Sequence, residues 1–491
     1  MSVEEKSPQH QSPQHLINGE WRTGSGTDAV AVFDPSRGAQ IAEVTAATPE
    51  EVDAAVAAAA AAFDSWSEMS LQRRVQYLYK MRQQLADNAE SLARTITLDQ
   101  GKTLDEARGE VLRAGEFVET AIAAPMLYHS KAGNIAAGID AHHVREPLGV
   151  CVAITPFNFP VMNPSQFSAW ALVTGNTLVV KPSEQDPLAS TAVIRLLQQA
   201  GLPDGVLNLV HGRADVAQRL IDHPDVTAVS CITSSPVAKA VHARASALGK
   251  RVQANGGAKN PIVVTADADL DLAAEGIVAS AFGMAGQRCL AGTRIIAFDE
   301  VYDQVVAKVA ALTDKLVMGS GFDAGTTLGP VVSAASRQRL ESLVDRAVAV
   351  GAKVVRDGRG AAPQGPSATT DGYFFGPTVL TDLSHTEPAE QEETFGPVIA
   401  VHRAQSIEDA IAISNDTPFG NAATVYTRSG STAHAFTKRI RSGNVGINSF
   451  PAPPANLAMG GLGDSFFGET HICGDAPLRF YTEEKLVVSR W

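Results

Sequence analysis

Three patterns predict an α/β protein with two doubly wound, Rossmann-like domains and a protruding β oligomerisation arm. From Gly149 onward, short β-branched runs at 150–155, 177–181, 206–210 and 226–233 alternate with helix-length segments at about 187–200, 215–221 and 236–248. That alternation marks a parallel sheet with helices on both faces, whose natural ligand is a nucleotide at the carboxyl ends of the strands. The pattern restarts near Ile262 with a strand to Thr265, a helix over 270–282 and a strand over 293–298. Helices at about 301–316 and 333–350 follow, then strands near 354, 372–380, 398–401 and 423–426. Finally, 128–146 loosens into alternating residues, and the 478–491 stretch reads as a strand able to pair with it; such strands build subunit interfaces.

The remaining elements follow in order. The tandem Ser-Pro-Gln-His at Ser7 and Ser12 predicts a disordered tail over 1–15, and 16–44 reads as a strand hairpin. Thr48-Pro-Glu-Glu51 combines an N-cap, a proline and first-turn acids, starting helices that continue through 71–88 and 89–99. A further helix over 104–124 carries Arg113. The predicted organisation is a cofactor-binding domain from 16–127 and 147–256, a second domain over 257–473, and an arm from 128–146 and 474–491. A chain of 491 residues is long enough to require such a division.

The formal net charge of -13 disfavours nucleic acid and anionic lipid as partners. Four cysteines, Cys151, Cys231, Cys289 and Cys473, lie far apart with no metal-ligand spacing, so no metal is expected and a reducing, cytoplasmic setting is. The beginning of the chain has neither a secretory apolar core nor an arginine-rich transit pattern, and no run is long enough to span a bilayer.

Phe282-Gly-Met-Ala-Gly-Gln-Arg-Cys289 delivers one cysteine into a turn. A thiol of free pKa about 8.5 needs a positive or dipolar neighbourhood to act as a nucleophile. Arg288 brings charge and Gly286 permits unusual backbone angles; the competing reading is a small buried hydrophobe. Pro156-Phe-Asn158-Phe-Pro160 follows a buried strand directly, where the Asn158 amide is either an oxyanion donor or a turn residue bonded to its own backbone. Lys181-Pro-Ser-Glu184 ends the next strand with a cation and a carboxylate suited to ribose and phosphate, or to a solvated turn. No G-x-G-x-x-G occurs in these segments, so the ordinary dinucleotide fingerprint is absent.

With Gly286-Gln-Arg-Cys289, Glu392-Glu-Thr-Phe-Gly-Pro397 and Asn415-Asp-Thr-Pro-Phe-Gly420, these segments resemble the aldehyde dehydrogenase superfamily over nearly the whole chain. The resemblance implies Cys289 as nucleophile and Asn158 with the Cys289 backbone amide as oxyanion hole. It implies NAD as cofactor, held by Thr155, Phe157, Lys181, Glu184, Ser234, Gly256, Glu393 and Phe395. Lys181 and Glu184 would meet the adenosine ribose, Glu393 the nicotinamide ribose, and Phe395 the nicotinamide ring. It also implies a small-molecule aldehyde as substrate and a homodimer or homotetramer.

Hydrolytic members place a general-base glutamate before a double glycine. Here Gln253-Ala-Asn255-Gly-Gly-Ala-Lys259-Asn260 has Asn255 at that position, and an amide cannot take the proton. Acyl transfer to coenzyme A, whose thiol arrives as thiolate, needs no such base. Asn255, the cysteine turn and the ending Lys485-Leu-Val-Val-Ser-Arg-Trp491 are similar to the acylating methylmalonate-semialdehyde dehydrogenase branch. That similarity implies Arg113 and Arg288 as the forks for a substrate carboxylate; for Arg113 the alternative is a salt bridge to Glu110 or Glu116 on an exposed helix face. The implied reaction oxidises malonate or methylmalonate semialdehyde to acetyl- or propanoyl-CoA. A hydrolytic enzyme making free acid and an inactive cofactor-binding protein are the rivals. Thr233-Ser234 stands where the superfamily has Gly-Ser, Leu290-Ala-Gly-Thr293 is closer to the general superfamily, and 455–474 is individual.

Overall fold

Strand Val150–Ile154, buried at every residue, is the centre of the first sheet. In the computed structural model, which describes residues 12–128, 131–451 and 454–491, it pairs in parallel with Thr177–Lys181 on one side and Val226–Ile232 on the other. Leu207–Leu209 and Arg251–Asn255 follow outward, also parallel. Antiparallel strands continue both edges: His15–Ile17 beside Leu207–Leu209, and Phe466–Gly468 beside Arg251–Asn255. The chain leaves the central strand to one side and returns to the other, which opens a crevice at the carboxyl ends.

The second sheet repeats this plan around Asn260–Val264, flanked in parallel by Gly292–Phe298 and Ala422–Tyr426. Val398–Ala404 and Thr378–Thr381 extend one side and Asn444–Ile447 the other. Arg251–Asn255 passes into Asn260–Val264 through a short Gly256-Gly257 link. The carboxyl end of the first sheet therefore meets the amino end of the second.

Thr48 forms the capping box read from the sequence, accepting from Glu51 N while the Glu51 carboxylate returns to Thr48 N. Thr482–Arg490 pairs antiparallel with Ile139–Pro147 over its whole length, and Ala132–Ala136 adds a third strand. Leu486, Val488 and Trp491 on this arm are exposed. No helix among the described residues is long and apolar enough to cross a membrane.

Several boundaries differ from the expected ones. Residues 1–11 of the expected tail lie outside the described residues, but His15 is fully buried in a strand, held by His211 N donating to its Nδ1. Residues 476–480 form a helix, and Leu478, Phe480 and Tyr481 pack in the first core, so the strand expected from Leu478 starts at Thr482. Phe466–Gly468 returns to the first sheet, so the 257–473 stretch is not confined to the second domain. Helix Met162–Val173 has no sequence signature of amphipathicity because every residue after Met162 is buried.

Candidate active site

Helix Leu270–Phe282 ends in a turn in which Met284, Ala285 and Gly286 all take left-handed conformations, with φ of 54°, 52° and 71°. For the two residues with side chains this costs about 1–3 kcal/mol each, so the surroundings must over-determine it. At Gly286 an added Cβ would lie 2.2 Å from the carbonyl oxygen of Gly396, which leaves room only for glycine. Buried Gln287 bolts the turn down: its Nε2 donates to Met284 O at 3.2 Å and its Oε1 accepts from Val332 N at 3.0 Å. The Cys289 carbonyl accepts from two amides, Asn260 Nδ2 at 3.0 Å and Asn421 Nδ2 at 2.8 Å.

Cys289, Asn158, Arg113 and Arg288 line one cavity of about 320 Å³. Asn158 is buried and gives one N–H to Gln287 O at 3.0 Å, leaving its second donor for a ligand. Its segment is fixed from below. Lys102 Nζ donates to Asn158 O at 2.6 Å and to Glu110 Oε2 at 2.7 Å, while Glu110 Oε1 accepts from Val161 N and Met162 N. Glu110 is therefore no partner for Arg113. Arg113 instead pairs with Glu116 at 2.6 Å, and it lines the cavity rather than standing on an exposed helix face. Arg288 Nη2 donates to Ser280 O at 2.6 Å and to Ala279 O, and the guanidinium stands 5.5 Å from the Phe450 ring centroid.

The thiol is not activated in the way the neighbouring arginine suggested. Burial, and next the Glu393 charge, push Cys289 up to about 11; Arg288 and Asn421 oppose this and lose. Burial likewise raises Glu393 to about 7, against the Ala258 N–H, Arg339 and Lys259. At neutral pH, Cys289 in this state is a thiol.

None of the eight expected cofactor residues lines that cavity. Thr155 N donates to Lys181 O at 3.1 Å, and the buried Thr155 hydroxyl has no partner among the described residues. Lys181 Nζ lies 3.2 Å from Glu184 Oε2 at the end of its strand. Ser234 is the exposed N-cap of helix Ser235–Ala247 and makes no side-chain cap bond, so the helix N-terminus is open to an anion. A Cβ at Gly256 would come 2.5 Å from Asp464 O and 2.6 Å from Ser235 Oγ. Glu393 accepts from Ala258 N at 2.9 Å, and Phe395, itself at φ 42°, packs edge-to-face on Phe157 with centroids 5.6 Å apart. An orphaned hydroxyl, an open helix N-terminus and a cation–carboxylate pair fit a dinucleotide.

Asn255 closes its strand with Nδ2 donating to Cys231 O at 3.2 Å. Sequence reasoning missed Asn260, Asn421, Lys102, Glu110 and the buried cluster in which Glu390 meets Arg294 at 3.0 Å, His402 at 3.0 Å and Lys259 at 3.3 Å. Burial pushes the Glu390 carboxyl up, but Lys259, His402 and Arg294 together hold it below the ordinary range. The available signal was a polar residue at the first position of a buried strand, as at Asn260, or a lysine between a helix-ending glycine and an N-cap threonine, as at Lys102.

Residues 21–487 match the model of the aldehyde dehydrogenase family. The chain belongs to that family. It is 41% identical over 480 residues to malonate-semialdehyde dehydrogenase 3 of Bacillus cereus, covering 97% of this chain and 98% of that one. It is 40% identical to malonate-semialdehyde dehydrogenase 1 of Geobacillus thermodenitrificans, covering 98% and 99%. Among solved structures, the methylmalonate-semialdehyde dehydrogenase of Oceanimonas doudoroffii superposes with a TM-score of 0.95 at 36% identity, covering 98% of each chain. A Sinorhizobium meliloti protein solved in complex with NAD gives 0.96 at 35%, covering 99% of each. Membership makes the chain an oxidoreductase of the aldehyde dehydrogenase type, with the α/β fold described above.

Proposed function

We propose that the protein is an NAD-dependent, CoA-acylating dehydrogenase of malonate or methylmalonate semialdehyde. The observation that carries this reading is that Cys289 shares its cavity with two arginines while Asn255, at the general-base position, is an amide tied to the sheet. The names of the relatives support it.

Arg113 and Arg288 would hold the substrate carboxylate and so bring the aldehyde carbon to Cys289. The Cys289 thiol gives its proton to the Glu393 carboxylate whose charge it feels, and the freed sulfur attacks to create an oxyanion, which the second Asn158 N–H and the Cys289 backbone amide stabilise. NAD, when bound, supplies the acceptor for the hydride, and a thioester remains on Cys289. With no carboxylate at 255, attack by water is slow and the thiolate of coenzyme A takes the acyl group. Release of carbon dioxide gives acetyl- or propanoyl-CoA. A second reading, hydrolysis to a free acid, is favoured by one observation: Glu393, raised to about 7 and close enough to raise the Cys289 thiol, has the strength of a general base.

NADH formation with malonate semialdehyde should depend on coenzyme A, and mass analysis should find the CoA thioester. Equal turnover without coenzyme A and a free-acid product would establish the hydrolytic reading instead. The arm, with Leu486 and Val488 exposed, supports a homodimer or homotetramer, which light scattering would measure.

A further inference from the structure

We infer that Glu106 is a positioning residue for the cysteine turn, an inference that rests on the reading of Cys289 as nucleophile. Glu106 opens helix Leu104–Ile122 in a capping box: Thr103 Oγ1 accepts from Glu106 N, and Glu106 Oε2 accepts from Thr103 N at 2.9 Å. A cap needs one carboxylate oxygen. The other, Oε1, crosses to the second α/β unit and accepts from Met284 N at 2.6 Å.

Met284 is the first of the three left-handed residues, five positions before Cys289, and it is buried. Its N–H follows the end of helix Leu270–Phe282 and has left the helical bonding ladder. A half-buried carboxylate from another unit thus anchors the turn where it begins, and a charge-assisted bond is about twice as strong as a neutral one. Glu106 also lines the substrate cavity and supports the charge of Arg288.

Spacing makes this a shared device rather than a stray contact. Glu106, Glu110 and Arg113 stand at i, i+4 and i+7, on one helical face. Glu110 holds the backbone of the Asn158 segment, Arg113 faces the cavity, and Glu106 holds the nucleophile turn. One rigid helix thereby sets the relative positions of oxyanion donor, substrate grip and thiol.

The test compares Glu106→Ala, Glu106→Gln and Thr103→Ala in the full chain. Its readouts are kcat and KM for the semialdehyde, melting temperature, and iodoacetamide labelling of Cys289 by peptide mass across about pH 6 to 10. Loss of the anchor in Glu106→Ala should lower kcat by about a hundredfold, as a displacement of about 1 Å does, and should shift the labelling profile. Glu106→Gln retains an acceptor for Met284 N and should recover most of that loss. Thr103→Ala removes the cap and the hydroxyl that donates to Glu106 Oε2 at 2.9 Å but leaves Oε1 on Met284 N, so it should lower the melting temperature with most of kcat kept. Parental kcat and labelling in Glu106→Ala, or equal kcat losses in Glu106→Ala and Thr103→Ala, would overturn the inference. Turnover by Cys289→Ala would refute the nucleophile reading separately, while labelling in the Glu106 variants would still report on the turn.

Discussion

The two sheets share a plan but use opposite ends. The first presents carboxyl ends: Thr155 after Val150–Ile154, Glu184 after Thr177–Lys181, Ser234 after Val226–Ile232. The second presents amino ends: Asn260 opens its central strand, Cys289 lies just before Gly292–Phe298, Asn421 just before Ala422–Tyr426, and Phe395 just before Val398–Ala404. The difference follows from the short Gly256-Gly257 link, which turns the end of one sheet directly into the start of the next. A parallel sheet's carboxyl edge suits ligand binding because helix N-termini gather there. Its amino edge has no such advantage, and here asparagines and a buried ion cluster do the anchoring instead.

The two edges should separate in kinetics. Cys289→Ala should lower turnover by about 10⁴-fold or more while leaving NAD affinity, read by fluorescence titration, in place. Turnover near the parental value would break the division at its centre. Asn421→Ala takes one donor from the Cys289 carbonyl and should cost roughly a hundredfold in kcat with little change in KM for NAD. On the other edge, Lys181→Met should do the reverse: a rise of roughly tenfold in KM for NAD, for a lost hydrogen bond to a charged group, with kcat nearly constant.

The smallest effect concerns pH. The Glu393 carboxyl is raised from its ordinary value of 4.5 to about 7, so between those values the folded protein holds a proton that the unfolded chain has released. Stability should fall as pH rises through that window. Glu393→Gln removes the titrating group, so its melting temperature should fall less than the parent's from about pH 5 to 7. Parallel curves would show that Glu393 is solvated at the junction of the edges rather than desolvated.

Much of the frame could be read directly. Thr48-Pro-Glu-Glu51 formed its capping box, 270–282 was read as the helix it is, and 177–181 as its strand, because caps and β-branched runs act over a few neighbouring residues. Helix Met162–Val173 was invisible because burial on all sides erases the period of an amphipathic helix. The arm's pairing was foreseen, but the helix before it was not, since Leu478 and Phe480 are helical, and with Tyr481 buried, only because the first core receives them.

By itself the sequence determined which residues could carry the chemistry: a cysteine after a glycine, an asparagine after a buried strand, an amide where a base would stand. It could not determine their electrostatics. Arg288 beside Cys289 suggested a thiol lowered by positive charge, whereas burial and the distant Glu393 raise it to about 11. Desolvation depends on everything that surrounds a group, and Glu393 and Glu106 come from 104 and 183 residues away in sequence. Only the folded junction of the two sheets decided what those neighbours would be.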